Sequence, residues 1–317
     1  MSRHKRNHRR KKKSTFKPLT MFLIIACIIA GIAVFFNLKD NHINFWSTKT
    51  EQKSSSNKSK DSSDVTSSEL TTKSSSSKST DSSKVNWVKQ KAAISFPILM
   101  YHAIHVMAAE ESANANLIVD PTTFESHIKR LSDEGYYFLS PDEAYKVLTE
   151  NVLPNDNSKV VWLTFDDGNW DFYDNAYPIL KKYQAKATNN VITGIVDNAA
   201  NLSLNEMVEM KKNGMFFEDH TVNHPDLSAA DSATQTTEMK DSKTYLDTKL
   251  KQDTIAIAYP SGRYTDTTTQ IAESLGYKLG VTTKEGLASA SDGLLSLNRV
   301  RILPTTTADT LIATITQ

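Results

Sequence analysis

From residue 94 to the end, short apolar runs alternate with longer amphipathic segments. The apolar runs include SFPILMY (95–101), KVVWLTF (159–165) and TIAIAY (254–259). Uninterrupted runs of this kind are typical of strands buried on both faces of a parallel sheet. The segments between them have helical length and spacing, as in residues 231–250. Alternating strands and helices predict an α/β fold, and about seven or eight strands favour a distorted (β/α) barrel over an open doubly wound sheet.

Residues 18–38, PLTMFLIIACIIAGIAVFFNL, contain no charged side chain. About 20 apolar residues in a helix cross the ~30 Å hydrocarbon core of a bilayer, and a backbone in lipid has to bond to itself. Residues 1–17 are rich in Lys and Arg and contain no acid, so the positive-inside rule places them in the cytoplasm. We therefore expect a single-pass cell-membrane protein with residues 39–317 outside the cell. The basic segment then flanks a membrane helix, and a net charge of +1 indicates no nucleic-acid partner.

Two other fates of this apolar segment remain open. One is a cleaved signal peptide, although the run exceeds the usual ~7–15 residues and no A-x-A-like site follows it. The other is a lipid anchor on Cys27, because residues 24–27 loosely resemble a lipobox, although the apolar run continues beyond the cysteine. Cys27 is the sole cysteine, so no disulfide can stabilise the exported part.

Residues 39–93 join this segment to the folded part. Ser, Thr and Lys dominate residues 47–85, and aliphatic residues are scarce there. Such a sequence cannot bury enough apolar surface to offset the entropy of ordering, so we expect a disordered linker. The linker would either space the domain across a cell wall or serve as an inert tether. Residues 94–317 would then form one folded domain.

Two groups of chemically active side chains follow predicted strands. Asp166 and Asp167 end the run in TFDDG, and Gly168 permits the turn that both carboxylates need in order to share a site. His220 and His224 lie in HTVNH, where one turn of helix would place both imidazoles on one face. Two histidines with a carboxylate are a common ligand set for a catalytic divalent ion such as zinc. A plain Asp-Asp-Gly turn and two surface histidines are the alternative interpretations.

A third strand end carries Tyr259, Pro260, Ser261 and Gly262. Pro and Gly would shape a tight loop whose backbone N–H groups could face a substrate oxygen, although such turns are common in proteins. Catalytic side chains collect at the C-terminal ends of the strands in folds of this kind. We therefore expect all three motifs at one face of the barrel.

TFDDG followed by HTVNH resembles the first two motifs of the polysaccharide deacetylase family, also called the NodB-homology family, and YPSG resembles its third. PILMYHAI and DPTTFESHIKRLSDEGYYFLSPDEA resemble the branch that includes the poly-N-acetylglucosamine deacetylases of biofilms. The resemblance covers about residues 94–303. It implies a metal-dependent hydrolase that removes N-acetyl groups from N-acetylglucosamine units of a cell-surface polysaccharide, either poly-N-acetylglucosamine or peptidoglycan, and releases acetate.

The resemblance also implies a role for each motif residue. Asp166 would be the general base, while Asp167, His220 and His224 would bind the metal, usually Zn²⁺. A backbone N–H of the loop 259–261 would hold the negative oxygen that forms during the reaction. The implied partners are an N-acetylated glycan polymer and, through the single helix, the membrane; no protein partner is implied.

The chain departs from the family pattern in three places. The third motif usually carries an Arg that orients the base two residues before its Pro, where this chain has Ala258. The candidates to replace it are Arg263, Arg299 and Arg301. The fourth motif, Asp-x-x-Asp-Trp, and the fifth, Leu-x-His, which supplies the general acid, have no clear counterpart. We predict that His102, which follows the first strand, supplies the acid; a structural role is the alternative.

Several residues and functions stay open. His105 and His127 are expected to be structural or exposed, and Trp170, Tyr173 and Tyr264 could stack on a sugar or belong to the core. The missing motif residues suggest a catalytically weak surface glycan-binding protein, but a chain that had abandoned catalysis would not need the base and all three ligands. An O-acetyl esterase of another polysaccharide would use the same residues, although a membrane tether better suits modification of the cell's own surface.

Overall fold

The computed structural model describes residues 85–316, and within them seven parallel strands form a closed barrel. In chain order these strands are β1 (Ile98–Tyr101), β2 (Val160–Asp167), β3 (Ala187–Val191), β4 (Met215–Asp219), β5 (Ala256–Ala258), β6 (Leu279–Glu285) and β7 (Leu297–Arg301). Most of their residues are buried; β2, for example, is buried from Val160 to Asp166. Burial on both faces explains why the sequence shows uninterrupted apolar runs rather than alternation.

The strands lie around the barrel in the order of the sequence. β7 closes the ring by pairing with β1, where Val300 lies opposite Leu99, and Leu99 in turn lies opposite Leu163 of β2. Every pairing within the ring is parallel. The predicted (β/α) barrel is therefore confirmed for this part of the chain, and the open doubly wound sheet is excluded. Closure brings the C-terminal ends of all seven strands to one rim.

Seven α-helices accompany the barrel in the described part of the chain: α1 (Pro121–Asp133), α2 (Pro141–Glu150), α3 (Tyr177–Lys182), α4 (Leu204–Lys211), α5 (Ser232–Leu250), α6 (Asp266–Ser274) and α7 (Ala308–Ile315). Local sequence sets where they begin. At α2 the Ser140 hydroxyl accepts from the Glu143 N–H while the Glu143 carboxylate accepts from the Ser140 N–H. Phe124 and Ile128 of α1 belong to the same buried apolar cluster as Phe165 of β2, which fixes the helix on the barrel.

The predicted C-terminal end of the linker, at residue 93, is wrong. Trp87–Lys89 forms a strand that pairs antiparallel with Val152–Pro154, so the folded unit begins upstream of residue 94. Trp87 packs against buried core residues, and this apolar contact, which the Ser/Thr-rich stretch cannot make, explains the difference. The transmembrane helix predicted at 18–38 and most of the linker lie outside the described residues. Among residues 85–316, no helix combines the length and the apolar character needed to cross a bilayer.

Candidate active site

Side chains from several strand ends meet at the C-terminal rim of the barrel. β2 ends in Asp166 and Asp167, His220 directly follows β4, and His102 directly follows β1. They share a cavity of about 230 Å³ lined by His102, Leu117, Asp166, Asp167, His220, His224, Ser261, Thr283 and Arg301. A larger cleft of about 540 Å³ elsewhere contains none of these residues. The chemistry of the lining residues, rather than size, therefore identifies the smaller cavity as the candidate site.

Asp166 and Asp167 share the cavity because the chain turns at the end of β2. Asp167 has a φ of +82° and Gly168 a φ of +71°. In a continuing strand the two carboxylates would point to opposite faces of the sheet. The left-handed conformation is unfavourable for most residues with a Cβ, but Asp tolerates it better than most. The turn expected at Gly168 therefore begins one residue earlier, at Asp167 itself.

The carboxylate of Asp166 is buried and is bound by Arg299 of β7. Arg299 Nη1 and Nη2 donate to Asp166 Oδ1 and Oδ2 at 2.8 and 2.6 Å, which makes a bidentate ion pair. Asn190 Nδ2, from β3, donates to Oδ1 at 2.7 Å. Burial by itself raises the pKa of Asp166, but the charge and hydrogen bonds of Arg299 outweigh it and hold the pKa well below its usual range. Asp166 is therefore ionised at neutral pH.

Arg299 is the arginine that forms an ion pair with Asp166. Its Nε donates to the Thr282 carbonyl of the neighbouring strand β6 at 2.7 Å, which fixes the guanidinium. Arg263 instead forms an ion pair with Asp226 at the surface, and Arg301 lies in the cavity wall. Of the three arginines that the sequence left as candidates, Arg299 is thus the one paired with the predicted base.

Asp167, His220 and His224 form a group that could hold a metal ion, with one ligand atom of each within 4.8 Å of the others. His220 Nδ1 lies 2.7 Å from the Ala258 carbonyl oxygen, and because a carbonyl can only accept, Nδ1 is the protonated nitrogen. Nε2 then carries the lone pair and faces Asp167 Oδ1 at 3.5 Å. This hydrogen bond from the far nitrogen is the one that orients metal-binding histidines.

The electrostatics of this group suit a cation. Burial lowers the pKa of His220, but the carboxylates of Asp167 and Asp166 raise it above its ordinary value. The position between Nε2 and the carboxylate therefore stabilises a positive charge. Two imidazoles and one carboxylate fit Zn²⁺ or a similar divalent ion, and three protein ligands leave a coordination position free.

The helical turn predicted between His220 and His224 is wrong. Residues 220–224 form a loop in which Thr221 and His224 have φ values of +66° and +56°. The loop nevertheless brings the two imidazoles together, with ring centroids 4.8 Å apart. The spacing of four residues predicted the proximity correctly, but the backbone reaches it by a different path.

Two carboxylates outside the histidine pair fix this loop. Asp219 Oδ1 accepts from the Thr221 N–H at 2.5 Å, and its Oδ2 accepts from the Tyr277 hydroxyl at 2.6 Å. Burial raises the pKa of Asp219 to about 7. Glu238 on α5 accepts from two successive loop N–H groups at 3.1 and 2.8 Å and from the Asn223 side chain at 2.7 Å. Sequence reasoning missed Tyr277 and Glu238, because only the folded chain places them beside the loop.

The third motif contributes its backbone turn rather than its tyrosine. Tyr259 is buried and its hydroxyl donates to a backbone carbonyl at 2.9 Å; Pro260 is buried as well. Ser261, with a φ of +53°, lines the cavity. A Cβ on Gly262 would lie 2.7 Å from the Thr283 backbone nitrogen, so a side chain does not fit where the loop passes β6. Of the three residues predicted for oxyanion binding, Ser261 is the one in the cavity wall.

The three histidines of the N-terminal half of the barrel have different surroundings. His102 is half-buried in the cavity beside the carboxylates; burial lowers the pKa of His102, and Asp166 and Asp167 oppose that shift. His127 is buried and bonded to a tyrosine hydroxyl and a backbone carbonyl, at 3.1 and 2.8 Å. His105 lies outside this cavity. The position of His102 is compatible with an acid, and that role stays a prediction.

The family model described as polysaccharide deacetylase matches residues 154–280. A candidate polysaccharide deacetylase of Bacillus subtilis (strain 168), YxkH, is 41% identical over 218 residues, or 69% of this chain and 75% of that protein. The poly-β-1,6-N-acetyl-D-glucosamine N-deacetylase of Staphylococcus aureus (strain N315) is 33% identical over 201 residues, or 59% of this chain and 68% of that protein. The structure of the Streptococcus pyogenes deacetylase PplD in complex with acetate has 64% identity and a TM-score of 0.68, covering 71% of this chain and 99% of that one.

The matched range 154–280 contains Asp166, Asp167, His220 and His224 together with the third motif. The similarity to YxkH and PplD extends over about seven tenths of the chain. The barrel, the order of the motifs and these similarities agree with one another. The chain therefore belongs to the polysaccharide deacetylase family and is a deacetylase.

Proposed function

We propose that this deacetylase is a metal-dependent hydrolase that removes N-acetyl groups from N-acetylglucosamine units of a cell-surface polysaccharide. The observation that carries the proposal is the meeting, in one cavity, of Asp167, His220 and His224 with an Asp166 that is paired to Arg299. A divalent-ion ligand set beside a separate, ionised carboxylate is what metal-assisted hydrolysis of an amide requires. Acetate, which the PplD structure contains, is the product that such a reaction releases.

The residues of the cavity divide the reaction between them. A bound Zn²⁺ or similar ion would polarise the acetyl carbonyl and lower the pKa of the attacking water. Asp166 would accept a proton from that water as its oxygen attacks the acetyl carbon. A backbone N–H of the Ser261 loop would donate to the oxygen that becomes negative. His102 would give a proton to the sugar nitrogen as the carbon–nitrogen bond breaks, so that acetate and a free amine leave.

The two adjacent carboxylates take different roles because their surroundings differ. Asp167 faces His220 Nε2 at 3.5 Å, in the position of a ligand. Asp166 is turned towards Arg299, which holds it ionised and away from the ligand position. One group can therefore stay with the metal throughout while the other cycles a proton.

Two polymers are candidates for the substrate. The S. aureus relative is named for poly-β-1,6-N-acetyl-D-glucosamine, which favours that linkage. The composition of residues 47–85 suits a wall spacer, which favours peptidoglycan.

We also propose that residues 18–38 anchor the chain in the cell membrane with the catalytic domain outside, on the strength of the uncharged run and its basic flank. Recovery of the full-length protein in the alkali-washed membrane fraction would support the anchor, and a soluble protein would contradict it.

The test of the function is acetate release by the full-length protein from N-acetylglucosamine oligomers of β-1,4 and β-1,6 linkage. We expect release that a chelator abolishes, that added zinc restores and that Asp166→Asn removes without loss of bound metal. Asp167→Asn should lose metal and turnover together. Release from an O-acetylated polysaccharide alone would favour an esterase, and oligomer binding without release would favour a glycan-binding protein.

A further inference from the structure

A second cavity of about 220 Å³ adjoins the catalytic cavity. Both are lined by His102, Leu117 and Asp167, so the two cavities lie side by side, and together they are called the groove. The far side of the second cavity is formed by Glu111 and Trp170 among others. Each cavity alone is smaller than the roughly 300–1,000 Å³ of pockets that take drug-sized ligands. A ligand with several rings would therefore have to occupy both.

Trp170 lies at the open edge of this groove and is 40% exposed. The other exposed large apolar side chains of the described part are the aliphatic Val106, Met107 and Leu303. Tryptophan is usually well buried, because its large ring gains the most from leaving water. An indole left open beside a catalytic cavity therefore calls for a binding role.

One face of the indole packs against the His105 imidazole. The backbone N–H of Trp170 donates to the Ala200 carbonyl at 3.1 Å, which fixes the main chain at this residue. The indole ring lies nearly parallel to the His105 imidazole, with centroids 6.0 Å apart at 23°. His105 Nδ1 contacts Asp171 Oδ2 at 2.5 Å, and its Nε2 contacts the Glu111 carboxylate at 3.1 Å. Asp171 is fully buried, so this clamp is rigid. The exposed part of the indole must then come mainly from its other face and its edge.

The clamp also sets the charge of the groove wall. Burial lowers the pKa of His105, but its contacts with Asp171 and Glu111 raise it above the ordinary value, while burial raises the pKa of Asp171. Glu111 further accepts from the Ala108 N–H at 2.7 Å. The wall is thus polar and fixed, while the indole is flat and apolar.

This combination suits a pyranose ring. One face of such a sugar presents C–H groups that can lie on an aromatic plane, and its hydroxyls can bond to fixed polar groups at the ring edge. We propose that Trp170 and the second cavity form a subsite for the sugar residue next to the one that is deacetylated. The inference rests on the proposed function, and it makes the substrate an internal stretch of polymer rather than a single sugar.

The consequence is a loss that depends on substrate length. Trp170→Ala should lower kcat/KM for an N-acetylglucosamine pentamer by about tenfold, mainly through KM, because the contact is lost equally in the ground and transition states. Trp170→Phe, which keeps an aromatic face, should retain most of the activity. Hydrolysis of 4-nitrophenyl acetate, which is too small to reach the subsite, should not change. Val106→Ala is the matched control, because Val106 is 73% exposed at the same rim but lines neither cavity.

The experiment measures acetate release and ester hydrolysis by the full-length protein and these variants, with calorimetric binding of the pentamer in an Asp166→Asn background. An unchanged kcat/KM for the pentamer in Trp170→Ala would overturn the subsite. So would an equal loss on the small ester, because it would show damage to the catalytic cavity. Should the wild type release no acetate from any oligomer, the proposed function fails by itself. Calorimetry then decides on the subsite: pentamer binding that Trp170→Ala weakens supports it, and binding that is absent or unaffected overturns it.

Discussion

Replacing Arg299 with methionine should destabilise the protein as well as inactivate it. The Arg299 side chain is 0% exposed and that of Asp166 is 3% exposed, so the substitution leaves a buried carboxylate without its cation. Removing one partner of a buried ion pair costs about 3–5 kcal/mol. A change of 1 kcal/mol shifts the melting temperature of a domain of this size by roughly 2–4 °C, so a decrease of about 6–20 °C is expected. Methionine fills much of the space of the arginine stem, so lost charge rather than a cavity should dominate.

The assay is thermal unfolding at neutral pH of the wild type, Arg299→Met, Asp166→Asn and the double variant. Each single change leaves one buried charge unpaired, whereas the double variant removes both. The double variant should therefore melt above both single variants. Arg299→Lys should be intermediate, because it keeps the charge but loses the two-pronged contact. Arg263→Met is the control: its ion pair with Asp226 is at the surface, and no shift is expected. A double variant that does not melt above both single variants would refute the reasoning.

The difference in melting temperature between wild type and Arg299→Met should depend on pH. The reason is the pKa of Asp166, which Arg299 lowers in the folded protein against the opposing effect of burial. A carboxyl with a lowered folded-state pKa stabilises the protein above its unfolded value of ~3.9, and this stability is lost as the pH falls through the folded value. In Arg299→Met burial acts on Asp166 without the opposing arginine and raises its folded-state pKa. The gap in melting temperature between wild type and Arg299→Met should therefore be largest at neutral pH and shrink as the pH falls through that raised value, because protonation removes the unpaired charge from the variant.

Two further predictions concern the cavity and its supporting loop. His102→Ala should lower kcat by about 10²–10⁴-fold while the metal content stays the same, and full turnover with bound metal would exclude His102 as the acid. Glu238→Gln should weaken metal affinity by about 10–100-fold, measured by competition with a chelator, because a carboxamide cannot accept all three of the loop's hydrogen bonds. Asp241→Asn, an exposed change on the same helix, is its control, and equal affinities in the two variants would show that Glu238 does not position the loop.

Several features of the fold and site could be predicted because they depend on neighbours in the chain. Strand burial is visible as the run 159–165, and the polar residues that end β2 and β4 are adjacent to those strands in sequence. The parallel barrel then places both strand ends at one rim. The local geometry was less predictable: the turn between His220 and His224 is a loop with positive φ angles, shaped by groups from other elements.

The alternation that makes a barrel can be seen along the chain, and so can the two carboxylates and two histidines that meet at its rim. Which arginine pairs with Asp166 depends on the folded barrel. The sequence does not distinguish Arg263, Arg299 and Arg301 as partners of Asp166. The third motif has Ala258 where an arginine was expected. Arg299 lies 133 residues from Asp166 in the chain. It reaches Asp166 because the barrel closes. Closure places β7 beside β1, and β1 pairs with β2, which carries Asp166.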